Sequence, residues 1–247
     1  MALLLSDIDP DVDFPALTRC VLEAYEDPPQ SFVYMFFQPM HGTGAVSREA
    51  AIEEAAARLK LWHTSDPSSR WQKVVDTETG KVVGGAAWNI YTTNPFEELH
   101  ELHDMEVTWY PGDTSRTYVE KALENYGMPR YRAAQRPHLY LFNIFTHPEY
   151  RRRGVGQQIM DWGMKQADAL ELELFLDATP HGKPLYEKNG FICIEENVTN
   201  VKTDNPDGKW KEMEDQIGSF TFWLMWRPVG GKYEEGKTVK PWESKDT

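Results

Sequence analysis

Residues 147–157, His-Pro-Glu-Tyr-Arg-Arg-Arg-Gly-Val-Gly-Gln, restrict what this chain can build more than any other stretch. An apolar run at 139–145 leads into them, and apolar residues at helical spacing follow over 159–170. The order is strand, tight turn, helix start. Gly154 and Gly156 lack a Cβ, so the backbone there can turn sharply and press close to a ligand. The first N–H groups of a helix have no intrahelical partner. Together with the helix dipole they form a cradle suited to a phosphate or pyrophosphate. Arg151, Arg152 and Arg153 add fixed positive charge beside it. The dinucleotide fingerprint needs a third glycine and the P-loop needs Gly-Lys-Ser/Thr, and this turn has neither. What remains is Arg-x-x-Gly-x-Gly, which on its own also fits an ordinary basic turn.

A second stretch shifts that balance. Residues 172–178 read as another strand, followed by Thr179-Pro180-His181-Gly182-Lys183-Pro184-Leu185-Tyr186-Glu187-Lys188-Asn189-Gly190-Phe191. Together the two stretches resemble the acyl-CoA-binding half of the GNAT N-acetyltransferase superfamily, small-molecule enzymes of fungal type included. Arg151, Gly154 and Gly156 match the family's Arg/Gln-x-x-Gly-x-Gly/Ala motif, which binds the coenzyme A pyrophosphate. Leu185, Tyr186, Gly190 and Phe191 match its Leu-Tyr-x-x-x-Gly-Phe motif, whose tyrosine lies near the acetyl thioester. The resemblance is firm over 139–191 and fainter on either side.

The resemblance implies an α/β fold: a GNAT-like mixed, mostly antiparallel central sheet flanked by helices, with a splayed strand pair holding the coenzyme. It implies acetyl-CoA as co-substrate, in contact with Ile144, Phe145, Thr146, Arg151, Arg152, Arg153, Gly154, Val155, Gly156, Gln157, Thr179 and Tyr186. The catalytic candidates are Tyr186, Ile144 and Asn143. The Tyr186 phenol would protonate the leaving thiolate. The Ile144 N–H would face the acetyl carbonyl and its developing negative charge. Thr146 would pair with pantetheine, and Asn143 sits next to the expected reaction centre. The chain departs from the family twice. Tyr140 stands where some members carry a glutamate base, and Thr179 where many carry an asparagine.

One domain over residues 1–229 is expected, with an insert at about 92–137 and a charged tail at 230–247 that lacks apolar periodicity. Before the turn, helical spacing marks 13–25 and 47–62, the second with Ser47 as N-cap. Strands at 71–76 and 81–91 form a hairpin closed at Gly80. Gly84-Gly85-Ala86-Ala87 leaves one strand face nearly bare, open to a backbone or a ligand. The aromatic stretch at 30–46 suits a substrate wall and a hydrophobic plug equally. The insert carries Glu97, Glu98, Glu101, Asp104 and Glu106 interleaved with His100 and His103, then a helical pattern ended by Gly127-Met128-Pro129. It reads either as a substrate lid or as a solvated loop. Ile159, Trp162, Met164, Ala167 and Leu170 mark the inner side of the helix after the turn. Strands at 191–195 and 219–227 close the sheet, with a polar loop or partial helix between them.

Cys20 and Cys193 give no disulfide framework and no ligand cluster, so no metal is expected and a reducing cytoplasm is the natural compartment. No run approaches 18 apolar residues, and the first residues lack the basic and apolar parts of a signal peptide, so no membrane partner is expected. The net charge of −13 argues against nucleic acid. It suits a cationic acceptor, and equally it serves solubility. The reading is direct acetyl transfer to a primary amine of a small molecule, by a monomer or homodimer. The base that takes the amine proton is open among His41, Glu101, His103 and a water chain. A protein lysine or N-terminal acetyltransferase and a non-catalytic acyl-CoA-binding sensor stand as alternatives.

Overall fold

The computed structural model describes residues 2–42, 44–97 and 107–243. The elements run β1 (Leu3–Asp7), α1 (Phe14–Glu26), α2 (Arg48–Ser65), β2 (Ser69–Asp76), β3 (Val82–Tyr91), α3 (Thr114–Ala133), β4 (His138–Thr146), α4 (Val155–Ala169), β5 (Glu173–Ala178), α5 (Lys183–Lys188), β6 (Ile192–Thr199), α6 (Gly208–Gln216) and β7 (Phe220–Arg227). The strands form one sheet in the order β1-β2-β3-β4-β5-β7-β6. Every neighbouring pair is antiparallel except β4 and β5. This is the mixed, mostly antiparallel α/β sheet that the sequence implies.

Side chains alternate between the two faces of a strand, and here both faces are covered. On one face Leu139, Leu141, Leu174 and Leu176 of β4 and β5 pack with Val155, Ile159 and Met160 of α4. On the other, Trp71, Ala87 and Phe145 pack with Phe14 and Leu17 of α1 and Ile52 of α2. Further along that second face, Tyr140, Phe175, Leu224 and Trp226 pack with Ala133 at the end of α3. The small residues of β3 admit close packing on both faces rather than leaving one face open. A Cβ on Gly84 would lie 2.6 Å from Val155 Cγ1, and one on Gly85 would lie 3.0 Å from Leu17 Cδ2.

Three details differ from the sequence expectation, and one open alternative is decided. Helix α3 does not stop at Gly127-Met128-Pro129 but runs to Ala133 with Pro129 inside it. A proline costs a helix interior about 3 kcal/mol. Burial of Pro129, Ala133 and Ala134, the last two beside Tyr140 and Phe175, offsets that cost. The inner side of α4 is turned from the expected stripe. Val155, Ile159, Met160, Gly163 and Ala167 are buried, whereas Leu170 is 47% exposed. Of the two alternatives for the polar stretch before the last strand, the partial helix is the one present: α6, capped where the Asp207 carboxylate accepts the Trp210 N–H at 2.8 Å. The charged tail packs back on the sheet: Trp242 stands edge-on to Trp226 at 5.4 Å, and Tyr233 at 6.3 Å.

Strands β4 and β5 stay paired only from His138↔Glu173 to Leu141↔Leu176. The cause lies on the other edge of β4. The register with β3 passes from Trp88↔Leu141 to Ala87↔Asn143, so Phe142 is an extra residue. A bulge of this kind bends its strand. Beyond it β4 stays with β3 and leaves β5, and a gap opens between the two parallel strands.

Candidate functional site

The gap exposes backbone groups in a predictable order. The His147 N–H donates to the Val83 carbonyl at 2.9 Å, which makes that pair a hydrogen-bonded one. Antiparallel ladders alternate bonded and non-bonded pairs. Ile144↔Ala86 and Thr146↔Gly84 are therefore non-bonded pairs, and the N–H and C=O of Ile144 and Thr146 turn away from β3 toward the gap. The Tyr25 hydroxyl, on α1, lies 3.0 Å from the Ile144 carbonyl oxygen and 2.6 Å from Asn143 Oδ1, where it donates. Burial pushes the Tyr25 phenol above its ordinary pKa, so it stays a donor.

The glycine-rich turn closes one end of the gap. Gly154 has φ of +88° and no side chain caps the helix it precedes, so the first N–H groups of α4 stay open. Three contacts fix the turn in place. Arg151 Nη2 donates to the Ala24 carbonyl near the end of α1 at 2.7 Å. The Tyr150 hydroxyl donates to Asp76 Oδ2 at the end of β2 at 2.9 Å. Gln157 Nε2 donates to Asn189 Oδ1 beyond α5 at 2.8 Å. The Arg153 guanidinium lies over the Tyr150 ring, 5.0 Å from its centre.

A cavity of about 1100 Å³ runs from this turn through the gap to an aromatic chamber on the far face of the sheet. Asn143, Ile144, Phe145, Thr146, Arg151, Arg152, Gly154, Val155, Gly156, Gln157, Thr179 and Tyr186 line it together, drawn from β4, α4, α5 and the loop after β5. Arg153, also expected at the coenzyme, stands outside that lining and against Tyr150. The Thr179 hydroxyl accepts the Gly182 N–H at 3.2 Å and so shapes the turn into α5. Tyr186 is buried, and burial holds its phenol well above its ordinary pKa, with the charges of Tyr25 and Asp177 adding to the effect. Its hydroxyl makes no hydrogen bond among the described residues.

The chamber walls come from stretches that the sequence left open. Phe32 and Phe36 line it while Val33, Met35 and Phe37 are buried, so the aromatic stretch serves as wall and as core. The insert contributes through α3: the Tyr126 ring is tilted against Phe222 of β7, centres 4.8 Å apart, and lines the cavity. His41, a candidate base, is exposed and does not line the cavity. Glu101 and His103 fall outside the described residues.

One lining residue was not singled out from the sequence. Asp177, near the end of β5, receives the Tyr140 hydroxyl on Oδ2 at 2.8 Å. Its Oδ1 is buried and without a partner among the described residues. The Arg130 guanidinium lies over the Tyr140 ring, 3.8 Å from its centre. Burial raises the Asp177 carboxyl to a pKa of about 6, against the pull of Arg130 and the Tyr140 hydrogen bond. A lone acidic residue in a strand-ending Leu-Asp-Ala carries no sequence signal of such a setting. Among the described residues no group of three or more His, Cys, Asp or Glu is placed to hold a metal.

The gap, the open helix end and the buried tyrosine meet in one cleft on a mixed sheet. Residues 113–193 match the family model described as Acetyltransferase (GNAT) domain. The fold is shared with a polyamine N-acetyltransferase of Drosophila melanogaster, at TM-score 0.59 and 11% identity over 92% of this chain and 100% of that one. It is shared with a histone acetyltransferase HPA2 and related acetyltransferase from Corynebacterium glutamicum, at TM-score 0.53 and 17% identity over 95% and 99%. A mosquito arylalkylamine N-acetyltransferase like 5b gives TM-score 0.53 at 15% identity over 92% and 99%. By sequence, a stretch of 60 residues is 32% identical to a probable acyltransferase SID5 of Ajellomyces capsulatus, spanning 22% of this chain and 44% of that relative. Residues 113–193 thus match a GNAT acetyltransferase domain, and the fold around them is shared with solved acetyltransferases. No helix among the described residues is long and apolar enough to cross a membrane.

Proposed function

We propose that this protein transfers an acetyl group from acetyl-CoA directly to the primary amine of a small molecule. The observation that carries the reading is the single cavity that joins the glycine-rich turn, the β4–β5 gap and the aromatic chamber. The residues present suit an acyl-CoA. Open N–H groups of α4 with Arg151 and Arg152 fit its pyrophosphate. The unpaired edge of Ile144 and Thr146 fits the amide groups of its pantetheine arm. The thioester supplies an activated acyl carbon, and the protein supplies position, charge and protons. The Ile144 N–H stands where it can receive negative charge building on the acyl oxygen, and such a donor is worth about 3 kcal/mol. The Tyr186 phenol, held neutral by burial, is the acid for the departing sulfur.

A walled aromatic chamber supports a compact acceptor over an extended peptide, and the net charge of −13 supports a cationic one. Two thiols without a disulfide, Cys20 buried and Cys193 exposed, support a cytoplasmic setting. The test is thiol release from acetyl-CoA against polyamines, arylalkylamines, aminoglycosides, amino acids and a lysine peptide. Release with one small-molecule class is the expected result. Release with the lysine peptide alone favours a protein acetyltransferase, and binding of acetyl-CoA without release from any amine favours a sensor.

The coenzyme end can be tested separately. A Cβ on Gly156 would lie 3.0 Å from Leu185 Cδ2, at the mouth of the turn. Gly156→Leu is expected to weaken acetyl-CoA binding by about 100-fold, or about 2.8 kcal/mol, in calorimetry. The far-ultraviolet dichroism of the variant should match that of the parent. Unchanged affinity in the folded variant moves the pyrophosphate away from this turn.

A further inference from the structure

An amine is protonated near neutral pH and must lose a proton before it can attack an acyl carbon. Asp177 is the only carboxylate lining the cavity among the described residues. His181, the only imidazole there, is exposed and lies on the turn before α5, beside Tyr186 and the glycine-rich turn.

The strand pattern fixes the side of the gap on which Asp177 stands. Leu174, Leu176 and Ala178 of β5 belong to the core under α4, while Phe175 belongs to the core under α3. Alternation puts Asp177 on the α3 side with Phe175. That is the face of the aromatic chamber, where Tyr126, Phe142 and Phe222 converge. Asp177 is also the first residue of β5 beyond the last pair with β4, where the gap begins, and it lines the same cavity as Phe142 and Ile144. It therefore sits between the slot for the thioester and the chamber for the acceptor.

We propose that Asp177 is the catalytic base, taking the proton of the acceptor ammonium on its unpaired Oδ1, and that Tyr140 is the positioning residue that holds Oδ2. The proposal rests on the acyl-transfer reading of this cavity. The step balances as follows. The ammonium nitrogen gives one proton to Asp177 Oδ1, and its freed lone pair forms the C–N bond to the acyl carbon. The C–S bond breaks with its electron pair on sulfur, which takes the Tyr186 proton. The surplus proton on the new amide nitrogen restores Tyr186, and the proton on Asp177 passes to solvent.

The surrounding charges suit this transfer. Arg130 and Tyr126 face Asp177 from α3, Tyr140 from β4 and Tyr186 from α5, while β7 offers the apolar Leu224. Burial holds all three phenols above their ordinary pKa, so they stay neutral. Arg130 stays charged. Its positive charge and the loss of water both disfavour the ammonium form of the acceptor and bring its pKa down toward that of the carboxyl. The carboxyl is raised to about 6, so it is ionised and able to accept at pH 7 and protonated and inactive below about pH 5.

The experiment measures kcat against pH with saturating acetyl-CoA and the amine that wild-type protein turns over fastest in the panel. Wild-type activity should fall as pH drops through about 6. Asp177→Asn should lose about 100-fold at pH 7.5 and lose that acid limb as well. Tyr140→Phe removes a hydrogen bond that favours the ionised carboxyl, so its limb should move to higher pH with most of the plateau kept. Acetyl-CoA affinity by calorimetry should be the same in all three proteins. A folded Asp177→Asn with wild-type kcat and an intact acid limb overturns the assignment. If that variant does not fold, Tyr140→Phe decides, and an unmoved limb overturns it. Wild-type protein that binds acetyl-CoA yet turns over no amine overturns the transferase reading and this step with it. Turnover by wild type that both variants leave untouched overturns the base alone.

Discussion

Tyr186→Phe is expected to lower kcat by about 10³-fold at saturating substrates, within the range of a lost general acid. The melting temperature should stay within about 2 °C, because less than about 1 kcal/mol of stability changes. The two halves of this expectation come from the same residue. The ring belongs to the core under α4, beside Phe191 at 6.0 Å, and phenylalanine keeps that packing. The hydroxyl has no hydrogen bond among the described residues, so its removal leaves no stranded partner. A tyrosine that served only structure would show the opposite pattern, a stability loss with normal turnover. The role also has a chemical signature. A thioester with a more acidic leaving thiol needs less protonation at sulfur. The defect of Tyr186→Phe should shrink with such a donor and be largest with acetyl-CoA itself. Equal defects with both donors, or none, remove the acid from this residue.

The half of this site proposed for the coenzyme was legible in the sequence because its chemistry depends on local backbone. A strand, a turn with Gly154 and Gly156, and a helix start must be contiguous to present N–H groups to a phosphate, so the motif sits in one stretch. The acceptor half is assembled from Phe32 after α1, Tyr126 on α3, Phe142 on β4 and Phe222 on β7. Those residues are up to 190 positions apart (222 − 32), and no local pattern links them. Asp177 shows the same limit in one residue. Its neighbours identify a strand, but its raised pKa arises from burial, working against Arg130 and Tyr140, which the continuation of α3 past Pro129 and the parallel pairing of β4 bring near. The sequence marked Tyr140 as the place where a glutamate base is missing. The structure puts a hydroxyl there that holds a carboxylate from the next strand. Most of the elements were legible from periodicity, the short α5 and the far end of β6 excepted. The orientation of α4 was not, because a stripe drawn through Trp162 and Met164 ignores which neighbour needs room.

That neighbour is Trp88, and it sets the second large expectation: Gly163→Ala should destabilise the protein. By helix propensity alone the change should help by about 1 kcal/mol, since glycine is a poor residue inside a helix. The packing reverses the sign. A Cβ on Gly163 would lie 2.2 Å from Trp88 Cη2, 2.6 Å from Cζ2 and 2.8 Å from Cζ3. Trp88 has no exposed surface, and its indole N–H donates to Gln72 Oε1 at 3.2 Å inside the core. The ring therefore cannot retreat without breaking a buried hydrogen bond or displacing Trp162, whose ring centre is 5.9 Å away. Overpacking of this severity costs about 3 kcal/mol. The net loss is about 2 kcal/mol, or a fall of about 4–8 °C in melting temperature for a chain of this size. The remedy follows from the same geometry. Trp88→Phe removes the outer ring atoms that the new methyl meets, so it should cost less stability in the Gly163→Ala background than in the wild type. A thermal double-mutant cycle measures that coupling directly. A Gly163→Ala protein as stable as the parent would mean that α4 can lift away from β3. The glycine-rich turn that opens α4 would then be held by its own contacts to α1, β2 and α5 rather than by this packing.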